Sequence, residues 1–106
     1  MIFSDVGPDI RWVGNERGIA GDPCWATYDP VGANGGPASP GDVKERESPV
    51  GTKHGTKWLP AECDVSIRRG WFWHEKETAG VKTPAQLKTL YYQSTGRGAH
   101  FLLNVP

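Results

Sequence analysis

The chain has 106 residues with 12 basic and 12 acidic side chains, so it is at most one small domain with a formal net charge of zero. The chain therefore has no excess of basic residues that would indicate binding to nucleic acid or to an anionic membrane surface. No apolar run approaches the roughly 18 residues of a membrane span, and the opening MIFSDV predicts no signal peptide. The two cysteines, Cys24 and Cys63, are too few for a disulfide framework and leave the compartment undecided.

Glycine and proline are unusually frequent, with 14 and 9 residues, and they concentrate between residues 7 and 60. Residues 26–57 are therefore predicted to form one long irregular loop, and the charged run VKERES at 43–48 is predicted to be exposed surface. The five tryptophans nevertheless require something to pack against. We therefore expect residues 1–106 to be a fragment of a larger domain, beginning on an internal strand.

The regular elements are predicted mainly near the ends of the chain. Residues 2–4 resemble the end of a strand that Gly7 and Pro8 break, and residues 64–68 alternate like a short strand. The run AHFLLNVP at 99–106 is almost continuously apolar, which is typical of a strand buried on both sides in a parallel sheet.

One helix is predicted between these last two strands. Thr83, Pro84 and Gln86 match a capping box with proline at the first helical position, and Gly96 is expected to end the helix. Between these two ends, residues recur at spacings of three and four, as on one face of a helix: Leu87, Leu90, Tyr91 and Ser94. The last third thus reads strand, loop, helix, strand, which is a βαβ unit of an α/β fold. Functional groups in such folds gather in the loops at the carboxyl ends of strands.

Arg11, Trp12 and Glu16 form the first candidate site, in the stretch DVGPDIRWVGNERG at 5–18. A carboxylate beside a tryptophan in a glycine-rich loop can be desolvated and so act as a general acid. The alternative is an ordinary Arg–Glu pair on the surface, which contributes little to stability.

Two further groups follow. If residues 64–68 are a strand, Asp64, Ser66 and Arg68 share one face, with Glu62 just before it, as either a structural salt bridge or a substrate-binding network. In RGWFWH at 69–74, a tryptophan such as Trp71 can pack on a sugar ring, although two of the three aromatic residues are expected in the core.

The three histidines do not have the spacing of zinc ligands, so no metal or other cofactor is predicted.

Taken together, IFSDVGPDIRWVGNERG, GDPCW, WLPAECDVSIRRGWFWH and LYYQSTGRGAHFLLNVP resemble, in this order, the second half of the catalytic domain of α-L-fucosidases of glycoside hydrolase family 29. GPDIRWVGNE and PAECDVSIR are most similar to the branch that acts on α-1,3/1,4-linked fucose. The resemblance implies a partial (β/α)8-like barrel, made of the closing strands of a TIM-type barrel with a long Gly/Pro-rich loop.

The resemblance also implies roles for particular residues in a retaining hydrolase. Glu16 ends the R-W-x-G-N-E stretch and matches the family's general acid/base. Arg11 and Trp12 are expected to contact or support the substrate, and Asp64 and Trp71 to bind it. Glu62 is the rival acid, although we expect it in substrate or aglycone binding. The family's nucleophile is an aspartate in a W-x-D-G-like motif, which this sequence lacks.

The expected substrate is therefore a fucosylated oligosaccharide or glycan, and the expected partner is the missing N-terminal half of the barrel. The isolated chain is predicted to be inactive, and neither nucleic acid nor membrane is an expected partner. Family members in bacteria are often exported, so a periplasmic or secreted location is expected. The alternatives are a non-catalytic carbohydrate-binding module and an inert truncated fragment.

Overall fold

The computed structural model describes residues 1–6, 9–44 and 46–106. Its centre is a sheet of four parallel strands whose spatial order follows the chain. The strands are β1 (Phe3–Ser4), β2 (Ile10–Trp12), β3 (Ala61–Ser66) and β4 (His100–Asn104). Parallel strands in consecutive order form the wall of a (β/α)8 barrel. The predicted α/β class is therefore confirmed.

Strand β3 is one of the two inner strands of this sheet, and all six of its residues are buried. It pairs with β4 from Glu62 opposite His100 to Ser66 opposite Asn104. The strand predicted at 64–68 therefore begins and ends earlier, because the chain turns after Ser66. In this turn the backbone N–H of Arg68 donates to Ser66 Oγ at 3.2 Å. Strand β2 was not predicted, because three residues with a central arginine carry no alternating pattern.

The predicted helix is confirmed as α1 (Pro84–Ser94). Its capping box is complete, since the backbone N–H of Gln86 donates to Thr83 Oγ1 at 3.3 Å and the Thr83 N–H donates to Gln86 Oε1 at 2.8 Å. The helix does not end at Gly96 as expected. It tightens into a 3-10 turn (Thr95–Arg97), and Gly98 supplies the left-handed residue at φ 87°. A second 3-10 helix (Glu75–Gly80), between β3 and α1, was not predicted.

The connection from β2 to β3 holds only isolated bridges in its described residues, 13–44 and 46–60. Backbone hydrogen bonds tie its two halves together, including Thr52 N–H to Thr27 O at 2.8 Å and Leu59 N–H to Ala26 O at 2.9 Å. The predicted surface run at 43–48 is only partly exposed, because Ser48 is buried. Glu45 of that run lies outside the described residues, as do Gly7 and Pro8, the predicted strand break.

The apolar core lies against one face of the sheet, and it consists of Val13, Ala20, Ala61, Cys63 and Ala99, with Cys24 packed beside them. Strand β4 is not buried on both sides as predicted, because exposed and half-buried residues alternate along it and Leu102 remains 41% exposed. The reason is its position, since β4 is an outer strand of the described sheet and has β3 as its one neighbour there.

Candidate functional site

Strands β2, β3 and β4 end at the same edge of the sheet, because they are parallel. Glu16 lies in the loop after β2, and Trp71 lies in the loop after β3. Asn104 is the last residue of β4. Residues from three separate parts of the chain therefore meet at this carboxyl edge.

A tight turn presents Glu16 at that edge. Its frame is Asn15, whose Nδ2 donates to the Val13 carbonyl at 3.3 Å and whose Oδ1 accepts from the Arg17 backbone N–H at 3.1 Å. Gly18 closes the turn with φ +70°, and a Cβ there would lie 2.8 Å from Val65 Cγ1. The asparagine and the glycine thus explain locally why the carboxylate of Glu16 projects from the sheet.

Glu16 and Trp71 are brought together by the fold. The indole Nε1 of Trp71 donates a hydrogen bond of 2.5 Å to Oε2 of Glu16, and the glutamate is otherwise exposed. The alternative, a surface ion pair between Arg11 and Glu16, is wrong, because the Arg11 guanidinium donates to backbone carbonyls instead. The sequence placed both Glu16 and Trp71 in the site, but their contact across 55 positions carried no local signal.

Trp71 is held in turn by Asn104, which the sequence analysis missed. The Nδ2 of Asn104 donates to the Trp71 carbonyl at 2.9 Å and to Ser66 Oγ at 3.2 Å. Phe72 and Trp73 follow Trp71 but are 77% and 58% exposed, so the expectation that two of the three aromatic residues lie in the core is wrong.

Trp12, Glu62 and Asp64 share the second face of the sheet, opposite the apolar core. The indole Nε1 of Trp12 donates to Asp64 Oδ1 at 2.6 Å, and the carboxylate of Glu62 lies 3.4 Å from Nδ1 of His100. Both carboxylates are buried. Their roles in substrate binding stay a prediction, and the Trp12–Asp64 bond makes that pair one unit.

Arg68 does not join this face. Because β3 ends at Ser66, the guanidinium of Arg68 instead reaches Thr78 Oγ1 at 3.5 Å. Among the described residues no ion pair connects Asp64 to an arginine. Of the two alternatives for this group, the structural salt bridge between Asp64 and Arg68 is therefore wrong, and Arg68 takes no part in a network with Asp64 on this face.

Arg11 is fully buried and does not face the carboxyl edge. Its guanidinium donates to three backbone carbonyls of the β2–β3 connection, those of Ser48 (2.7 Å), Trp25 (2.8 Å) and Leu59, and it lies 5.1 Å from the centre of the Tyr28 ring. The geometry thus corrects the expectation of substrate contact. Arg11 supports the loop by satisfying buried carbonyl groups.

Burial lowers the pKa of Arg11, and the neighbouring Cys24 opposes this effect. Burial also raises the pKa of Cys24, and it raises the pKa of Cys63 to about 12, with Cys24 adding to the effect.

Gly51 lies beside the Arg11 guanidinium and has a left-handed backbone conformation, with φ +75°. A Cβ on Gly51 would lie 2.8 Å from Arg11 Nη2 and 2.6 Å from the Trp25 carbonyl oxygen.

Within residues 1–6, 9–44 and 46–106, no cluster of three or more His, Cys, Asp or Glu side chains is arranged to hold a metal ion. Over the same residues, no helix has the length and apolar character needed to cross a membrane.

No protein-family model matches the chain. An α-L-fucosidase 1 of Arabidopsis thaliana is 49% identical to it over 106 residues, which are all of this chain and 20% of that relative. The crystal structure of SpGH29 superposes on the whole chain with a TM-score of 0.81 and 38% identity, and the chain covers 22% of it. A family 29 fucosidase of Ruminococcus gnavus, in complex with fucose, matches 92% of this chain with a TM-score of 0.70 and 36% identity, and 19% of that enzyme is covered.

The chain spans about a fifth of the length of these relatives. Its sequence and its parallel sheet both match one segment of their structures, which agrees with a partial (β/α)8-like barrel. The resemblance is therefore confirmed: along its whole length the chain is similar to one segment of the α-L-fucosidases of glycoside hydrolase family 29.

Proposed function

We propose that the chain is part of a retaining α-L-fucosidase that hydrolyses α-L-fucosyl linkages of glycans, with Glu16 as its general acid/base. The observation that carries the proposal is the place of Glu16, at the carboxyl edge of the sheet and 2.5 Å from the Trp71 indole, in a chain similar throughout to fucosidases. Catalytic groups of (β/α)8 barrels gather at this edge.

The chemistry proceeds in two steps. Protonated Glu16 gives its proton to the glycosidic oxygen as the bond between that oxygen and fucose C1 breaks, and a carboxylate nucleophile forms a new bond to C1. The leaving glycan departs as an alcohol. Ionised Glu16 then takes a proton from a water molecule, whose oxygen attacks C1 and releases the nucleophile. Because the sequence lacks the W-x-D-G motif, we propose that the nucleophile lies on polypeptide outside these 106 residues.

Trp71 contributes to both steps through its hydrogen bond to Glu16. A donor fixed on one carboxylate oxygen orients the group, so that the second oxygen is free to exchange the proton with the substrate. Trp12 and Asp64, joined at 2.6 Å, are proposed to line the substrate side of the sheet as one rigid pair. The rival acid, Glu62, is 4% exposed and near His100, which favours a binding role over proton exchange with water.

The test places this chain within a complete enzyme, by exchanging it for the matching segment of the Arabidopsis relative, to which it is 49% identical. In that chimera, Glu16→Ala is expected to lower glycan hydrolysis by about 10²–10⁴-fold. Hydrolysis of an aryl fucoside with a good leaving group should suffer less in the first step. Added azide, which needs no general base, should restore turnover and yield fucosyl azide.

Glu62→Ala is the matched control for this test. It is expected to weaken binding without azide rescue. If Glu62→Ala shows the rescue and Glu16→Ala does not, the acid/base assignment is reversed. For the chain by itself, titration calorimetry with fucose and a Lewis-type oligosaccharide tests the alternative of a carbohydrate-binding module, which requires binding without hydrolysis.

A further inference from the structure

Asn104 links three segments at the carboxyl edge of the sheet. Its side-chain Nδ2 donates to the Trp71 carbonyl at 2.9 Å and to Ser66 Oγ at 3.2 Å, while its own carbonyl accepts from the backbone N–H of Ile67 at 3.0 Å. One residue at the end of β4 therefore holds both the end of β3 and the loop that follows it.

The end of β3 is fixed by other contacts as well. Nζ of Lys82 donates to the Ser66 carbonyl at 2.6 Å, and the Lys82 backbone N–H donates to the Ile67 carbonyl at 2.8 Å. Removal of the Asn104 amide would thus leave the strand end anchored, so the effect of such a change is concentrated on the loop.

Trp71 itself has far less support. Phe72 and Trp73, the next two residues, are exposed, and a Cβ on Gly70, just before it, would meet nothing within 4 Å. Within the described residues, the bond from Asn104 is the one hydrogen bond that fixes the Trp71 main chain. The position of the indole therefore depends on the Asn104 carboxamide.

We infer that Asn104 is a positioning residue: it holds the Trp71 backbone so that the indole Nε1–H meets the carboxylate of Glu16. The contact itself does not depend on the proposed function, whereas its catalytic consequence rests on it. When Asn104 is changed, the indole is expected to move away from Glu16, which then loses the donor that orients it.

The contact is tested on the 106-residue chain by the indole ¹⁵N–¹H NMR resonances, with Trp71 assigned through Trp71→Phe. Glu16→Ala removes the acceptor and should shift the Trp71 indole resonance. In a chain that already carries Asn104→Asp, which keeps the shape but cannot donate to a carbonyl, the same Glu16→Ala change should produce less than half of that shift. Asn104→Ala is the second variant and should behave alike.

Ser66→Ala is the matched control, because it removes the other acceptor of the same amide and leaves the bond to Trp71. It should preserve the full shift. The Trp12 indole, bound to Asp64, serves as an internal reference for the fold and should keep its position in every variant. A full Trp71 shift in both Asn104 variants overturns the inference, and so does a displaced Trp12 resonance in both, since Asn104 would then be a general structural residue.

A second measurement connects the contact to catalysis. In the active chimera, Asn104→Ala is expected to lower kcat on a glycan substrate by up to about a hundredfold with little change in KM, because a misplaced acid slows proton transfer more than binding. An unchanged kcat together with the NMR result would mean that Glu16 is held by Asn104 and Trp71 but is not the acid. That outcome overturns the proposed function and leaves the positioning inference standing.

Discussion

The indole Nε1 of Trp12 and Oδ1 of Asp64 lie 2.6 Å apart, and this hydrogen bond joins neighbouring strands across the polar face of the sheet. Because Asp64 is buried, Trp12→Phe leaves its carboxylate without this donor and should lower the free energy of unfolding by about 1–3 kcal/mol. Urea denaturation measures the loss. The double variant Trp12→Phe with Asp64→Leu should be less destabilised than the sum of the single changes, and strict additivity would contradict the coupling.

Arg11 should be the most sensitive position of the β2–β3 connection. Arg11→Met leaves three backbone carbonyl groups without their donor, two of them buried and that of Trp25 partly buried, so the free energy of unfolding should fall by roughly 3 kcal/mol or more. Arg11→Lys should recover only part of this, because one ammonium cannot copy the guanidinium fork. Arg46→Met, at an exposed position, is the control and should change stability by about 0.5 kcal/mol at most. Equal effects at the two positions would refute the structural role of Arg11.

The two cysteines should differ in reactivity. With its pKa raised to about 12 by burial, Cys63 holds a thiolate fraction of only about 10⁻⁴ at pH 8, and its sulfur is shielded from reagent. Cys24 is half-buried and beside Arg11, so iodoacetamide should modify it first. Mass spectrometry of the labelled peptides follows both sites, and denaturant should make their rates similar. Faster labelling of Cys63 in the folded chain would contradict this order.

Asp29 should contribute to the loss of stability in acid. The backbone N–H and Oγ1 of Thr56 donate to its carboxylate, and these bonds hold the pKa of Asp29 below its usual value. A lowered folded-state pKa gives stability that is present above the unfolded pKa of about 3.9 and is lost as pH falls through the folded value. Asp29→Asn should therefore flatten the dependence of unfolding free energy on pH below about 4. An unaltered pH dependence would show that the bonds contribute nothing.

Local signals in the sequence were sufficient for the elements whose cause is local. The capping box of α1 involves residues three positions apart, and the apolar run of β4 is continuous, so both were recognised. The end of α1 was misjudged because a 3-10 turn postpones the left-handed glycine to Gly98. The burial of β4 was overestimated because it depends on neighbours that a run of letters does not display.

The contacts that organise the site are long-range, and here sequence reasoning was weakest. Arg11 looked like a substrate ligand, but it satisfies carbonyls 14 to 48 positions away. Glu16 and Trp71 were both singled out, while Asn104 was not, because an asparagine at the end of an apolar strand is an ordinary residue until the loop from β3 folds over it. A loop rich in charged residues after a strand was enough to nominate a candidate site, but which residues contact one another within it depends on tertiary structure.

The contact between Gly51 and Arg11 has a consequence for how this loop tolerates natural variation. Many glycine-rich loops accept substitutions freely, but here any side chain at position 51 would displace the guanidinium or the Trp25 carbonyl, at a backbone angle that non-glycine residues rarely adopt. A change of the arginine would not remove this constraint, because the Trp25 carbonyl oxygen lies closer to the added Cβ, at 2.6 Å, than the guanidinium does. We therefore expect glycine at position 51 whichever residue stands at position 11, whereas at Gly70, in the loop after β3, an added Cβ would meet nothing within 4 Å.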